Sequence, residues 1–373
     1  MSTTLKIKTI ALTLFVTGGM AAQADITIGG RPSAGMGGAG LALPMNSGQQ
    51  GIINPSLLGF APSSLVFNWP SIGYRLEGVS ISDLKNTLGN IDKGGLDQNK
   101  IAAFATSFGD STKSFGLTAD ASITYGGFAL TGSAEANVTT IPNQALQTWV
   151  NGGSVIASLT GGEQLDAYGI GYAQVGVGYG RLVKSKLGQL AVGATLKEVK
   201  GYYSHKIESS AAIKSQGVPV NGTEFPDTAV DTLQKDGVGL DAGVTFSPKQ
   251  LKMLYAGLVV ENLIQPKVNF DYENPNNGPV APGAINLFGT TYDVGLGAVL
   301  TKKIVAAADV IDVTNRASRQ ELRLGVSANL FSIVTFSGGY SSRTRGSLGV
   351  SAFGIDLVYS QTSPITVGSA FKF

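Results

Sequence analysis

Hydrolytic or acyl-transfer chemistry needs a nucleophile beside a base. This chain has one histidine to serve as that base, His205, in the stretch "GYYSHKIESS". Ser204 and Ser209 are its near neighbours, but closeness in sequence does not define a triad. The stretch reads as the outer end of a long strand, which makes His205 a rim residue. With no cysteine present, thiolate catalysis, disulfides and His/Cys metal sites are excluded. Asp241, Asp293 and Asp309 lie on separate segments and read as dispersed interior polar residues rather than paired carboxylates. Lys197 and Arg323 read as lone interior charges held by structural partners. The stretch "GMGGAG", residues 35–40, is not a dinucleotide fingerprint, because no strand precedes it and no acidic residue follows at the expected distance. No catalytic, cofactor-binding or metal-binding residue is assigned, and the chain is not read as an enzyme.

The elements around these residues are set by composition. Of 373 residues, 51 are glycine, 43% are hydrophobic and 14% are charged. Glycine without a three-residue period excludes collagen, and the apolar content argues against disorder. Lys6 and Lys8, the apolar "TIALTLFVTGG" and the A-x-A site at Ala22 to Ala24 predict a signal peptide over residues 1–24. Its removal takes two lysines and no acid, so 27 basic residues become 25 against 25 acidic ones. No polybasic surface for nucleic acid is left. Beyond residue 24 there is no apolar run of 18 residues, hence no transmembrane helix is expected.

Periodicity of two runs through the rest. In "RQELRLGVSANL", Leu322, Leu324, Val326, Ala328 and Leu330 share one face, while Glu321, Arg323, Gly325, Ser327 and Asn329 share the other. "GVGLDAGVTF" and "TYDVGLGAVL" alternate in the same way. The less apolar face is mostly Gly, Ser and Thr, which suits a crowded barrel interior, and the Leu/Val/Ala face suits lipid. About fourteen segments of this kind predict an all-β, antiparallel transmembrane barrel over residues 63–373. The short connections "YGG", "KSKLG", "SPKQLK", "TKK", "LFS" and "FGI" fall on one side. The long ones near 81–114, 139–165, 208–236 and 265–288 fall on the other, as expected for periplasmic turns and extracellular loops.

Five local expectations follow. In "YGIGYAQVGVGYG", Tyr168, Ile170 and Tyr172 share a phase that Val175, Val177 and Tyr179 reverse, predicting a wall bulge at Ala173 and Gln174. The loop "FDYENPNNGPVAPGAINLF" reads as exposed and irregular, and Leu84, Leu88 and Ile91 have helical spacing. Tyr202, Tyr203, Tyr255, Phe270, Tyr340 and Tyr359 read as an interfacial aromatic belt. The closing "PITVGSAFKF" places Ile365, Val367, Phe371 and Phe373 on one face of a last strand, which must pair with the first to leave no open edge in lipid.

Met36, Gly37, Gly38, Ala39 and Gly40, followed by Asn54, Pro55 and Ser56, resemble the opening of the FadL-like outer-membrane proteins. That superfamily includes fatty-acid-type transporters, conjugal-transfer TraF-like barrels and PorV-like secretion barrels. "LYAGLVVENLIQPKVNF" and the run from "AADVIDV" to "IDLVYS" look most like closing strands of the TraF-like members. The resemblance implies a bacterial outer-membrane barrel of fourteen strands with residues 25–62 as a hatch inside the lumen. It also implies that the terminal aromatics, Phe371 and Phe373, are read by the barrel-assembly machinery. Two functions stay open: a passive transporter for small hydrophobic compounds gated by the hatch, and a non-conducting accessory barrel of a conjugation or secretion system. The partners implied are outer-membrane lipid, the assembly machinery, and either hydrophobic small molecules or conjugation and secretion components.

Overall fold

Alternating apolar and small polar residues form fourteen antiparallel strands that close on themselves. The computed structural model describes residues 35–44, 53–61, 63–77, 109–153, 160–209, 232–270, 273–274, 278–279, 285–286, 288–315, 320–330, 334–343, 345–352, 355–361 and 365–372. The expected signal peptide, the helical spacing at Leu84 to Ile91, and Phe373 lie outside the described residues.

The strands are β1 (Val66–Glu77), β2 (Lys113–Tyr125), β3 (Phe128–Pro142), β4 (Gln164–Lys184), β5 (Gly188–Ser209), β6 (Thr232–Pro248) and β7 (Leu254–Ile264). They continue with β8 (Thr291–Val299), β9 (Ile304–Ile311), β10 (Glu321–Leu330), β11 (Val334–Ser341), β12 (Arg345–Ala352), β13 (Ile355–Ser360) and β14 (Ile365–Lys372). Each pairs with its chain neighbour, and β1 pairs with β14 to complete a closed barrel. No helix among the described residues is long and apolar enough to cross a membrane; the strands do the crossing, and closure of the barrel gives each of them a neighbour on both sides.

The faces sort as the alternation requires. On β10, Leu322, Leu324 and Val326 are exposed on the outer wall, while Glu321, Arg323 and Ser327 are buried inside. Tyr125, Phe128 and Tyr179 are exposed at the short-turn end of β2 to β4, the boundary position where an aromatic ring suits the headgroup layer.

The wall at Ala173 and Gln174 is continuous, which corrects the predicted bulge. Pairing is unbroken from Phe128↔Tyr179 to Pro142↔Leu165 on one side of β4, and from Gln164↔Ser209 to Lys184↔Gln189 on the other. The phase reverses because the surroundings do. β4 has 21 residues and β5 has 22, about twice what a tilted strand needs to cross a bilayer. In the lower part of β4 the outer residues Val175, Val177 and Tyr179 are exposed. Above that level the inner residues Ile170 and Tyr172 are apolar and buried, as in a water-soluble β-structure. Gln174 points inward and donates to Ser133 Oγ (2.8 Å).

The wall does break at two other places. The register of β1 shifts at Trp69 to Ile72 against β14 and at Asn68 to Ser71 against β2. Pro70 lies between, and with no N–H to give a ladder it marks such a bulge. β6 against β7 also shifts between Leu240 and Ala242. There Asn262 has φ 50° and gives its amide to Asp241 Oδ1 (2.7 Å).

A short helix, α1 (Gln144–Asn151), follows β3 and buries Leu146, Trp149 and Val150 in a cluster with Leu165. Asn143 caps it by accepting the Leu146 amide (2.9 Å).

Candidate functional site

Inside the barrel, the N-terminal residues 35–44 and 53–61 run along the inner wall. Met36, Ala39, Leu43, Leu57 and Leu58 are buried. The "MGGAG" stretch turns tightly: Gly37, Gly38 and Gly40 have φ of 70°, 82° and 140°, a region closed to most side chains. Ala39 N–H donates to Met36 O (3.3 Å) and Leu43 N–H to Gly40 O (3.1 Å).

Asn54 and Pro55 build the second half. Pro55 opens a 3-10 turn, Pro55–Phe60, where its missing N–H costs nothing. Asn54 caps it, and its amide group is used in full. Its Oδ1 accepts Ser56 N–H (3.0 Å) and Ser56 Oγ–H (2.7 Å); its Nδ2 donates to Leu41 O (2.8 Å) and Thr245 Oγ1 (3.1 Å). One side chain therefore joins the glycine turns, the 3-10 turn and the wall strand β6.

The wall meets this segment with glycine. Gly180 and Gly193 lie under Pro55, Gly243 under Asn54, Gly257 under Ala42, and Gly325 and Gly339 under Met36. A Cβ at Gly193 would overlap the Pro55 carbonyl, and one at Gly339 would overlap the Met36 backbone. Where β9 offers no inward glycine, it offers Asp309, whose Oδ2 accepts the amides of Gly40 (2.7 Å) and Leu41 (3.0 Å).

The dispersed aspartates thus have separate structural tasks. Asp309 holds the inner segment, Asp293 accepts the Asp312 amide (2.7 Å), and Asp241 holds Asn262 and pairs with Lys197 (2.8 Å). Arg323 pairs with Glu321 (2.6 Å), which also accepts from Ser341. Lys197 and Arg323 therefore have the structural partners expected of interior charges.

Toward the long connections, the interior between β4 and β5 is apolar. Ile170, Tyr172, Val199 and Tyr203 pack with Val268, Phe270 and Phe288 of the connection from β7 to β8. Tyr172 meets Phe288 edge-on at 5.3 Å, Tyr203 stacks on Phe270 at 5.6 Å, and Lys235 Nζ lies 5.7 Å from the Phe270 ring. Two expectations are corrected here. The connection is not wholly an exposed loop, because its apolar residues find an interior surface to bury against. Tyr203 and Phe270 do not belong to the interfacial belt, nor does Tyr255, which faces inward against Phe60 at 5.9 Å. Tyr340 and Tyr359 are exposed on the outer wall.

His205 also faces inward. Its Nε2 lies 2.7 Å from Asp166 Oδ1, its ring stacks on Tyr168 at 4.7 Å, and Tyr168 Oη–H donates to Asp166 Oδ2 (2.5 Å). Ser204 takes the other face of the strand, and Ser209 lies four residues along, about 13 Å by strand rise. The arrangement pairs an imidazole with a carboxylate. At the other end of the chain, Phe371 pairs with Phe67 across the seam of the barrel.

A family model described as "F plasmid transfer operon, TraF, protein" matches residues 75–310. No curated protein matches the chain. Among solved structures, the TodX monoaromatic hydrocarbon channel deltaS2 mutant is 14% identical, with 92% of this chain and 98% of that chain covered and a TM-score of 0.52. The deltaS2S3 mutant of the same channel is 16% identical, with the same coverage and a TM-score of 0.50. The P. putida toluene transporter TodX is 15% identical over 92% of this chain and 96% of that one, with a TM-score of 0.49. At such identities the likeness is one of fold.

Proposed function

From the premise that the chain belongs to the TraF family of F plasmid transfer operon proteins, we propose that it is an outer-membrane barrel through which small hydrophobic compounds pass passively. In this reading residues 1–24 are the export signal, residues 25–62 are a hatch seated on the glycine-lined wall, and residues 63–373 are the barrel. The observation that carries it is the aromatic cluster packed inside the end of the barrel toward the long connections, the extracellular end in this reading. Water-filled pores keep polar interiors, whereas sites for apolar ligands are lined by hydrophobic and aromatic side chains. The fold likeness to channels described as carrying monoaromatic hydrocarbons supports the same class of solute.

A second reading has its own support. The matching family is described by a plasmid transfer operon, which favours an accessory barrel whose partners are conjugation or secretion components. A deletion strain separates the two. Uptake of a monoaromatic hydrocarbon by intact cells falls if the barrel transports, and conjugal transfer falls if it is an accessory. Intact cells are needed because plain phospholipid vesicles leak apolar solutes by themselves.

A further inference from the structure

Lysines of the short-turn rim are concentrated on one side. Three consecutive turns, β4 to β5, β6 to β7 and β8 to β9, carry Lys184, Lys186, Lys249, Lys252, Lys302 and Lys303. All six are exposed, their turns contain no acidic residue, and none is in an ion pair among the described residues. Neighbouring turns stand about 10 Å apart, two strand spacings, so the lysines form one arc. Around the rest of the rim the turns at 126–127, 331–333 and 353–354 hold Gly, Phe, Ser and Ile, and Lys372 beside the chain end is the one basic residue near them.

The same three turns expose large apolar side chains between the lysines. Leu187 is 79% exposed, Leu251 53%, Met253 50% and Leu300 52%. Arg181 adds a cation on the outer wall of β4, above the first turn. Apolar side chains alternating with long cationic ones mark a surface half in acyl chains and half at the phosphate level. A soluble acidic protein would meet the lysines, but it could not meet Arg181 on the bilayer side of the wall.

We propose that this arc is a binding site for anionic phospholipid headgroups in the periplasmic leaflet, with the leucines and Met253 inserted between the acyl chains. The proposal rests on the outer-membrane barrel reading and on the short turns being periplasmic. It does not depend on whether the lumen transports.

The test uses the full-length protein in phosphatidylcholine vesicles with trace spin-labelled phosphatidylglycerol or spin-labelled phosphatidylcholine. The motionally restricted fraction gives the relative association of each lipid. The expected result is a several-fold preference for phosphatidylglycerol at low salt, reduced at high salt as screening requires. The preference disappears when the six lysines are replaced by glutamine and persists when they are replaced by arginine. Heat-modifiable gel migration checks that each variant is folded. Equal association of both lipids with the folded wild-type protein would overturn the proposal, as would an undiminished preference in the folded glutamine variant. Lysine-dependent binding of a polyglutamate peptide without any lipid preference would overturn it in favour of an acidic protein partner. A chain that does not enter the bilayer would overturn the barrel reading and the site together.

Discussion

Asp309 gives one carboxylate oxygen to two amides of a segment 269 and 268 residues earlier in the chain. Buried amides without an acceptor cost about 1–3 kcal/mol each, so Asp309→Ala loosens the glycine turns from the wall by that order. The expected outcome is larger single-channel conductance in planar bilayers with heat-modifiable migration retained. Conductance equal to wild type would mean that the turns are held without it. The sequence marked this aspartate only as interior and polar, since alternation shows which face a residue takes and nothing of what lies opposite. Asn54 and Pro55 were more legible. An Asn-Pro pair before a short turn has a local reason, and the structure adds the distant contacts to Leu41 and Thr245. The sequence puts His205 near a strand end, and its partner Asp166 on the neighbouring strand carries no sequence signal.

At the level of the elements, the number of barrel strands followed from alternation, because a lumen and a lipid phase impose opposite demands on every strand. That rule fails where a strand leaves the bilayer. β4 continues above it, its inner face becomes the apolar one, and the change imitates a bulge at Ala173 and Gln174. The break at β1 had a direct sign in Pro70, a residue without an amide for the ladder. If a solute leaves sideways, β1 is one of the two places where the wall is already irregular. Pro70→Thr supplies the amide and favours a straighter strand. Hydrocarbon uptake is then expected to fall while the gel shift persists, and unchanged uptake would remove β1 from the path. The last strand also bears on assembly. Phe373 is one of the terminal aromatics expected to be read by the barrel-assembly machinery, so on its deletion outer-membrane levels should fall several-fold with synthesis unchanged. Equal levels in the membrane fraction would show that the terminal aromatic is dispensable.

For the whole molecule, the count of 51 glycines has a spatial explanation. Inward glycines on β4 to β8, β10 and β11 leave room for a backbone laid against the wall, and small residues elsewhere line the crowded interior. The same barrel carries an aromatic interior toward the long loops and a lysine arc at the short turns, so its two ends meet chemically different surroundings. Passage of apolar solutes through this barrel is the proposed function. Its most direct test is the initial uptake rate of a radiolabelled monoaromatic hydrocarbon by intact cells, compared among a deletion strain, the strain complemented with wild type, and the strain complemented with Tyr172→Arg. A several-fold lower rate on deletion is expected, with recovery on complementation by wild type and no recovery with Tyr172→Arg although that variant reaches the outer membrane. A deletion strain that takes up the hydrocarbon at the wild-type rate would contradict it.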